Sequence, residues 1–143
     1  MSIEAVKQYF KAYHMEDRVM EFEVSSATVE LAAQALHCEP ARIAKTLSFS
    51  VKGEPILIVA AGDAKIDNAK YKAKAKMLSP EEAVTLIGHA VGGVCPFAIR
   101  EGVRVYLDLS LKRFATVFPA CGSASSAIEL TIEELETYAK ADG

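Results

Sequence analysis

Ile43-Ala44-Lys45-Thr46-Leu47-Ser48-Phe49-Ser50-Val51, then Lys52-Gly53-Glu54, then Pro55-Ile56-Leu57-Ile58-Val59-Ala60-Ala61 is the stretch that decides the fold. Two runs rich in β-forming residues flank a short loop that contains glycine, and this pattern predicts a β-hairpin. Lys45 stands in the first run between Ile43 and Leu47, which an alternating strand places on its own side. A lysine that faces the same way as core residues is costly to bury without a partner. It either holds an anionic or carbonyl oxygen of a ligand, or it sits at a strand end and snorkels into water.

On the N-terminal side, Ile3, Val6, Phe10 and Tyr13 recur at helical spacing behind a Ser2 cap. Val19 to Val24 reads as a short strand. Ser25 or Ser26 is the expected cap of a second helix whose buried stripe is Val29, Ala32, Ala33 and Leu36, ending before Pro40. Past the hairpin, Gly62 to Lys76 is polar and gives no firm assignment. Ser79-Pro80-Glu81-Glu82 combines a Ser cap, Pro at the first helical position and Glu three residues after the cap, and Gly88 ends that helix. Gly88 to Pro96 is expected to be loop. Val103, Val105 and Leu107 alternate with polar neighbours as in a half-buried strand, and Thr116 to Ala120 and Ala127 to Leu130 are two further strands. Thr131 and Glu134 form a capping box for a last helix through Ala139. The order is α-β-α, then mostly β with one helix inserted, then α, which predicts a mixed α/β fold rather than a regular βαβ alternation.

The chain has 143 residues, 51% apolar and 24% charged, and is long enough to close one core, so one domain over 1–143 is expected. The longest apolar run, Ile56 to Ala61, is too short to span a bilayer. No basic start followed by an apolar stretch marks a secretory signal, and three cysteines without a CxxC motif fit a reducing compartment, so a cytoplasmic location is expected. A net charge of -3 argues against broad coating of DNA or other nucleic acid, though not against gripping a short single-stranded end.

Four groups of residues bear on chemistry. Lys45 is the first. The second is Gly88-His89-Ala90-Val91-Gly92-Gly93-Val94-Cys95-Pro96-Phe97, in which adjacent glycines let the backbone approach a ligand and aim N–H groups at a developing oxyanion. The alternative is a tight turn between helix and strand. The third is the cluster Lys65, Lys70, Lys72, Lys74 and Lys76 with Tyr71, which suits either RNA phosphates and a stacked base or a solvated face. The fourth is Cys95 with His89, a thiol and base to be weighed against a small buried apolar residue. His14, His37, His89 and the cysteines lack zinc-ligand spacing, and no nucleotide fingerprint, P-loop, HExxH or GxSxG motif occurs. No metal or cofactor is expected.

Together these segments resemble the YbaK/EbsC family, which includes the editing domain inserted in bacterial prolyl-tRNA synthetases and its free-standing relatives. The resemblance rests on Cys38-Glu39-Pro40, Ile43-Ala44-Lys45-Thr46-Leu47, Ala60-Ala61-Gly62-Asp63, the segment Gly88 to Phe97, and Ala120-Cys121-Gly122-Ser123 before Ile128-Glu129-Leu130. It implies a mixed sheet curved into a barrel-like core with helices packed around it. It also implies hydrolysis of the ester that joins an amino acid to the terminal adenosine of tRNA, with tRNA-Pro carrying a small amino acid as the first candidate. The family's essential lysine falls on Lys45, and its glycine loop on Gly92, Gly93 and Val94, with Thr46, Asp63, His89, Cys95, Pro96 and Ser123 lining the pocket. The implied partners are the aminoacyl-tRNA acceptor end and, further, a synthetase. A module that binds tRNA ends or a synthetase without catalysis is the alternative, and a cysteine-dependent hydrolase is a third.

Overall fold

The computed structural model describes residues 2–22, 28–64, 75–89, 93–123 and 125–142. The hairpin is its centre. Strands β2 (Ile43–Val51) and β3 (Glu54–Ala61) pair antiparallel from Ala44↔Ala61 to Val51↔Glu54. Lys52 (φ 52°) and Gly53 (φ 82°) turn the chain between them. Two successive residues with positive φ give the turn whose twist matches the flanking strands.

Three partners of β2 and β3 come from distant sequence. Strand β5 (Arg104–Leu107) runs parallel to β3, and β6 (Thr116–Pro119) runs parallel to the start of β2 through Ile43↔Phe118 and Ala44↔Pro119. Strand β4 (Ala75–Met77) pairs antiparallel with the end of β2, at Phe49 to Val51. Strand β8 (Leu130–Thr131) extends the sheet beyond β6. The order β5-β3-β2-β6-β8, with β4 beside β2, is the expected mixed sheet. It curls into a half-barrel around Ala44, Leu57, Val59, Ala61, Val105, Val117 and Leu130, all buried on the inside. A two-stranded ribbon of β1 (Val19–Glu21) and β7 (Ser126–Ile128) lies apart from this path. The expected single strand from Ala127 to Leu130 is therefore two strands, which join different partners and divide at the exposed Glu129.

Helix α1 (Ser2–Lys11) buries Val6 and Phe10 in the barrel core, and the Phe10 ring meets the Phe97 ring edge-on at 4.8 Å. Tyr13 lies past the helix end. Helix α2 (Val29–Leu36) is capped by Thr28, whose hydroxyl accepts from the Leu31 amide at 3.2 Å. The expected caps Ser25 and Ser26, and Val24 of the first strand, lie outside the described residues. Ala32 and Ala33 of α2 pack on Ile43 and Phe118, on the outer face of the sheet. Helix α3 (Pro80–Glu82) starts with the expected capping box at Ser79 and continues as a wider turn, Ala83–Ile87, that Gly88 ends at φ 106°. Helix α4 (Ile132–Ala139) has the second expected box, Thr131 with Glu134. After α4, the Asp142 amide donates to the Val105 carbonyl (2.7 Å) and its carboxylate accepts from the Val105 amide (3.1 Å). The free edge of β5 is thereby covered, which blunts it against further strand pairing.

Candidate functional site

One edge of β2 is occupied by β3 from Ala44 to Val51, so β6 and β4 share the other. They do not meet. β6 covers Ile43 and Ala44, β4 covers Phe49 to Val51, and the Leu78 amide reaches the Ser48 carbonyl at 3.1 Å. Among the described residues no strand pairs with Lys45, Thr46 or Leu47 on that side. A cavity of about 360 Å³ opens at this gap. Its floor is β2 from Ile43 to Ser48, and its walls are Val29, Ala32 and Leu36 of α2, Met77 and Leu78, Val94, Phe118 and Ala120, and Ser126 and Ala127. Because the sheet is interrupted, residues from both of its faces reach the same cavity. A space of this size with mostly apolar walls and few polar groups is typical of a small-ligand site.

Lys45 is half-buried on the floor, opposite Ala60 in the β3 register. Its Nζ donates to the Ala64 carbonyl. No carboxylate pairs with it among the described residues. The nearby acid, Asp63, is exposed and held by Arg113 at 2.5 and 3.1 Å. Hydrogen bonding from Arg113 keeps the Asp63 carboxyl below its ordinary value, and the Lys45 charge adds a smaller pull in the same direction. Both oxygens of the Asp63 carboxylate are thus taken by Arg113. An ammonium has three donors, and among the described residues only the Ala64 carbonyl takes one from Lys45.

The glycine loop reaches the cavity through Val94. Gly92, like Ala90 and Val91, lies outside the described residues. Gly93 is buried, and a Cβ on it would come within 2.6 Å of the Gly122 carbonyl group and 2.7 Å of the Ser123 amide. Backbone therefore packs on backbone at this point, and only glycine allows that approach. Ser123 stands behind the wall: its hydroxyl donates to the Ser126 hydroxyl at 2.8 Å, and Ser126 lines the cavity.

His89, Cys95 and Pro96 lie elsewhere. His89 is 1% exposed and Cys95 is 0% exposed, and neither lines the cavity. His89 Nε2 is 2.7 Å from the Phe97 carbonyl and 3.5 Å from Cys95 Sγ. The carbonyl can only accept, so Nε2 carries the proton and is not a base toward the thiol. Burial pushes the imidazole below its ordinary value, and it pushes the Cys95 thiol up to about 12. A thiol held protonated in the core is a poor nucleophile, which removes the basis for cysteine catalysis. Pro96 faces a second space of about 270 Å³, between Tyr9, Tyr138 and Arg100.

Of the residues singled out in the sequence, Lys45, Thr46 and Val94 line this cavity. Thr28, Ser48, Met77 and Ser126 line it as well and are ordinary strand and cap residues with no local signal of a ligand. Of the lysine cluster, Lys76 is exposed in β4, and the other four lysines and Tyr71 lie outside the described residues. No group of three or more His, Cys, Asp or Glu side chains is placed to hold a metal among the described residues, and no described helix is long and apolar enough to cross a membrane.

Known proteins resemble the chain throughout. A family model described as the aminoacyl-tRNA editing domain matches residues 23–138. An uncharacterized protein of Bacillus subtilis (strain 168), YwhH, is 55% identical over 96% of this chain and 91% of its own length. A proline–tRNA ligase of Lysinibacillus sphaericus (strain C3-41) is 33% identical over 59% of this chain, a match that spans only 16% of the ligase. A crystal structure provisionally described as a trans-editing enzyme for prolyl tRNA synthetase superposes with a TM-score of 0.88 at 27% identity, covering 99% of this chain and 93% of that one.

Proposed function

Because the chain belongs to the aminoacyl-tRNA editing domain family, we propose that it hydrolyses the ester of a mischarged tRNA, in trans, as a free-standing deacylase. The observation that carries this reading is the meeting, at one cavity, of Lys45, which has no carboxylate partner among the described residues, and the wall contributed by Val94 of the glycine loop. In this reading Lys45 anchors an anionic or carbonyl oxygen of the charged end. The backbone of Gly92, Gly93 and Val94 holds the aminoacyl carbonyl, so that negative charge developing on its oxygen meets fixed N–H dipoles. Water attacks the ester carbon, the bond to the ribose oxygen breaks, and that oxygen leaves with a proton from the water, so that a free amino acid and an uncharged tRNA end result. Positioning and electrostatic support then supply the rate, and no protein nucleophile takes part.

The proline–tRNA ligase relatives and the solved neighbour's description support tRNA-Pro as the carrier. Ala32, Ala44, Ala120 and Ala127, which line the cavity, support a small aminoacyl side chain: alanine, serine, cysteine or 2-aminobutyrate. One methylene is worth only about 1–3 kcal/mol of discrimination, so release from more than one of these is expected.

The test is deacylation of tRNA-Pro charged with each of the four, by wild type and by Lys45→Ala and Cys95→Ala. Selective release that drops by about 100-fold or more in Lys45→Ala, while Cys95→Ala retains it, is the expected outcome. Absence of release from every charged tRNA by a folded wild type would replace the enzyme with a module that binds the tRNA end or a synthetase.

A further inference from the structure

Among the described residues, the Ala64 carbonyl is the one polar partner of the Lys45 ammonium. A four-carbon stem turns about several bonds, so where the ammonium stands depends on where that carbonyl stands. Ala64 lies past the end of β3, where no described strand pairs with it. Its amide donates to the Ala61 carbonyl at 2.9 Å, which closes a tight turn at 61–64. Three contacts fasten this turn. The Gly62 amide donates to the Ala41 carbonyl at 3.3 Å, and the Ala61 amide donates to the Ser110 hydroxyl at 3.1 Å. The third is the grip of Arg113 on both oxygens of the Asp63 carboxylate.

Arg113 is itself a fixed point. It ends the short helix Leu109–Arg113, which the fully buried Leu111 joins to the core. Asp108 ties the start of that helix to β3: its amide donates to the Val59 carbonyl at 2.8 Å, and its carboxylate accepts from the Ser110 amide at 3.0 Å. The Arg113 Nε donates to the Ser110 carbonyl at 2.9 Å, and its Cζ lies 4.9 Å from the centre of the Phe114 ring. A guanidinium held in this way fixes a carboxylate in angle as well as in distance, because the fork bonds both oxygens at once. Asp63 and Arg113 are each about half exposed, so the pair adds little to stability, and what it sets is position. We propose that Arg113 is a positioning residue: by gripping Asp63 it sets the turn at 61–64, so that the Ala64 carbonyl holds the Lys45 ammonium at the cavity. This rests on the deacylase reading, in which Lys45 anchors the charged end. It adds that the place of the ammonium is set from outside the cavity, since neither Asp63 nor Arg113 lines it.

Arg113→Gln and Asp63→Asn each release the grip from one end. Each is expected to lose about 5- to 30-fold in the single-turnover rate on mischarged tRNA-Pro, while its melting temperature moves by less than about 2 °C. The double variant should lose no more than either single one, because both act through the same contact. In a Lys45→Ala background, Arg113→Gln should cost less than about 2-fold, since no ammonium is left to place. A second readout needs no activity. Reductive methylation with 13C-formaldehyde labels the lysines, and the Lys45 signal is the one missing in Lys45→Ala. That signal is expected to move toward those of exposed lysines in Arg113→Gln and in Asp63→Asn alike. A Lys45 signal unmoved in both variants would overturn the proposal, whatever their rates. So would an Arg113→Gln loss as large in the Lys45→Ala background as in wild type, which would mean that Arg113 meets the tRNA itself. A wild type that hydrolyses none of the charged tRNAs would remove the deacylase reading, while a moved Lys45 signal in both variants would still uphold the positioning.

Discussion

Gly93 is the residue at which chemistry and packing are least separable. A methyl group there would overlap the Gly122 carbonyl group and the Ser123 amide, which are backbone and have little room to yield. Gly93→Ala is therefore expected to push the loop away from residues 122 and 123 and to cost about 1–3 kcal/mol of stability, read by urea denaturation. Its activity should fall by more than that loss explains, because the folded fraction at assay temperature stays high while Val94 leaves the cavity wall. Single residues also show where the sequence was readable. Lys45 stood out because a charge inside an apolar strand demands a reason. The Asp63–Arg113 pair did not, because its members are 50 residues apart and neither is unusual in its own segment. Cys95 sat in a segment that drew attention for its glycines, but nothing local distinguished a core thiol from a reactive one. Burial decided that, and burial belongs to the fold rather than to the segment.

Among the elements, α4 has the start most open to test. Glu134 serves two masters at once: it closes the capping box on the Thr131 amide (2.9 Å), and it accepts from Arg18 at 2.7 and 3.1 Å. Hydrogen bonding from Arg18 is the larger cause that draws its carboxyl from 4.5 down to about 2. A carboxyl lowered on folding stabilises the native state above its unfolded value and loses that contribution as the pH falls through its folded one. Stability should accordingly decline between about pH 4.5 and pH 2, with a shallower decline in Glu134→Gln, followed by urea midpoints across that range. Both capping boxes and the hairpin turn could be read directly, since each is a pattern within four or five residues. The parallel pairings β2–β6 and β3–β5 could not, because no short-range pattern records which distant strand fills an edge. The division of β7 from β8 at Glu129 was hidden for a related reason: no glycine or proline marks it, and only the two different partners pull the strands apart.

At the scale of the whole molecule the core holds two thiols that resist ionisation. Cys95 is pushed from 9.0 up to about 12 by burial, and Cys121 is pushed well above its ordinary value by burial and then by Cys95. In the unfolded chain both ionise near pH 9, while in the folded chain Cys95 keeps its proton to about pH 12. Between those values the unfolded state binds fewer protons, so stability falls as the pH rises, by up to about 1.4 kcal/mol per pH unit for each such thiol. Denaturation midpoints from pH 8 to 11 should show this slope, and Cys95→Ala should flatten it whatever the variant's absolute stability. An unchanged slope would mean that the thiol is accessible and that the loop around it opens. The same scale explains why the curvature of the sheet escaped the sequence while its mixed composition did not. Strand and helix order is written along the chain, but the half-barrel arises only when β5 and β6 flank the hairpin on opposite sides.

The length of the opening along β2 is set by where β4 and β6 stop, not by the bulk of the groups that surround it. A window framed by strand ends works like a sliding sash. Advancing β4 by two residues toward Thr46 would shut it by about 7 Å, and withdrawing it would lengthen it by as much, with every side chain keeping its face in either case. Where β4 stops along β2 is thus a coarse adjustment of what the barrel admits, and substitutions on the wall are the fine one.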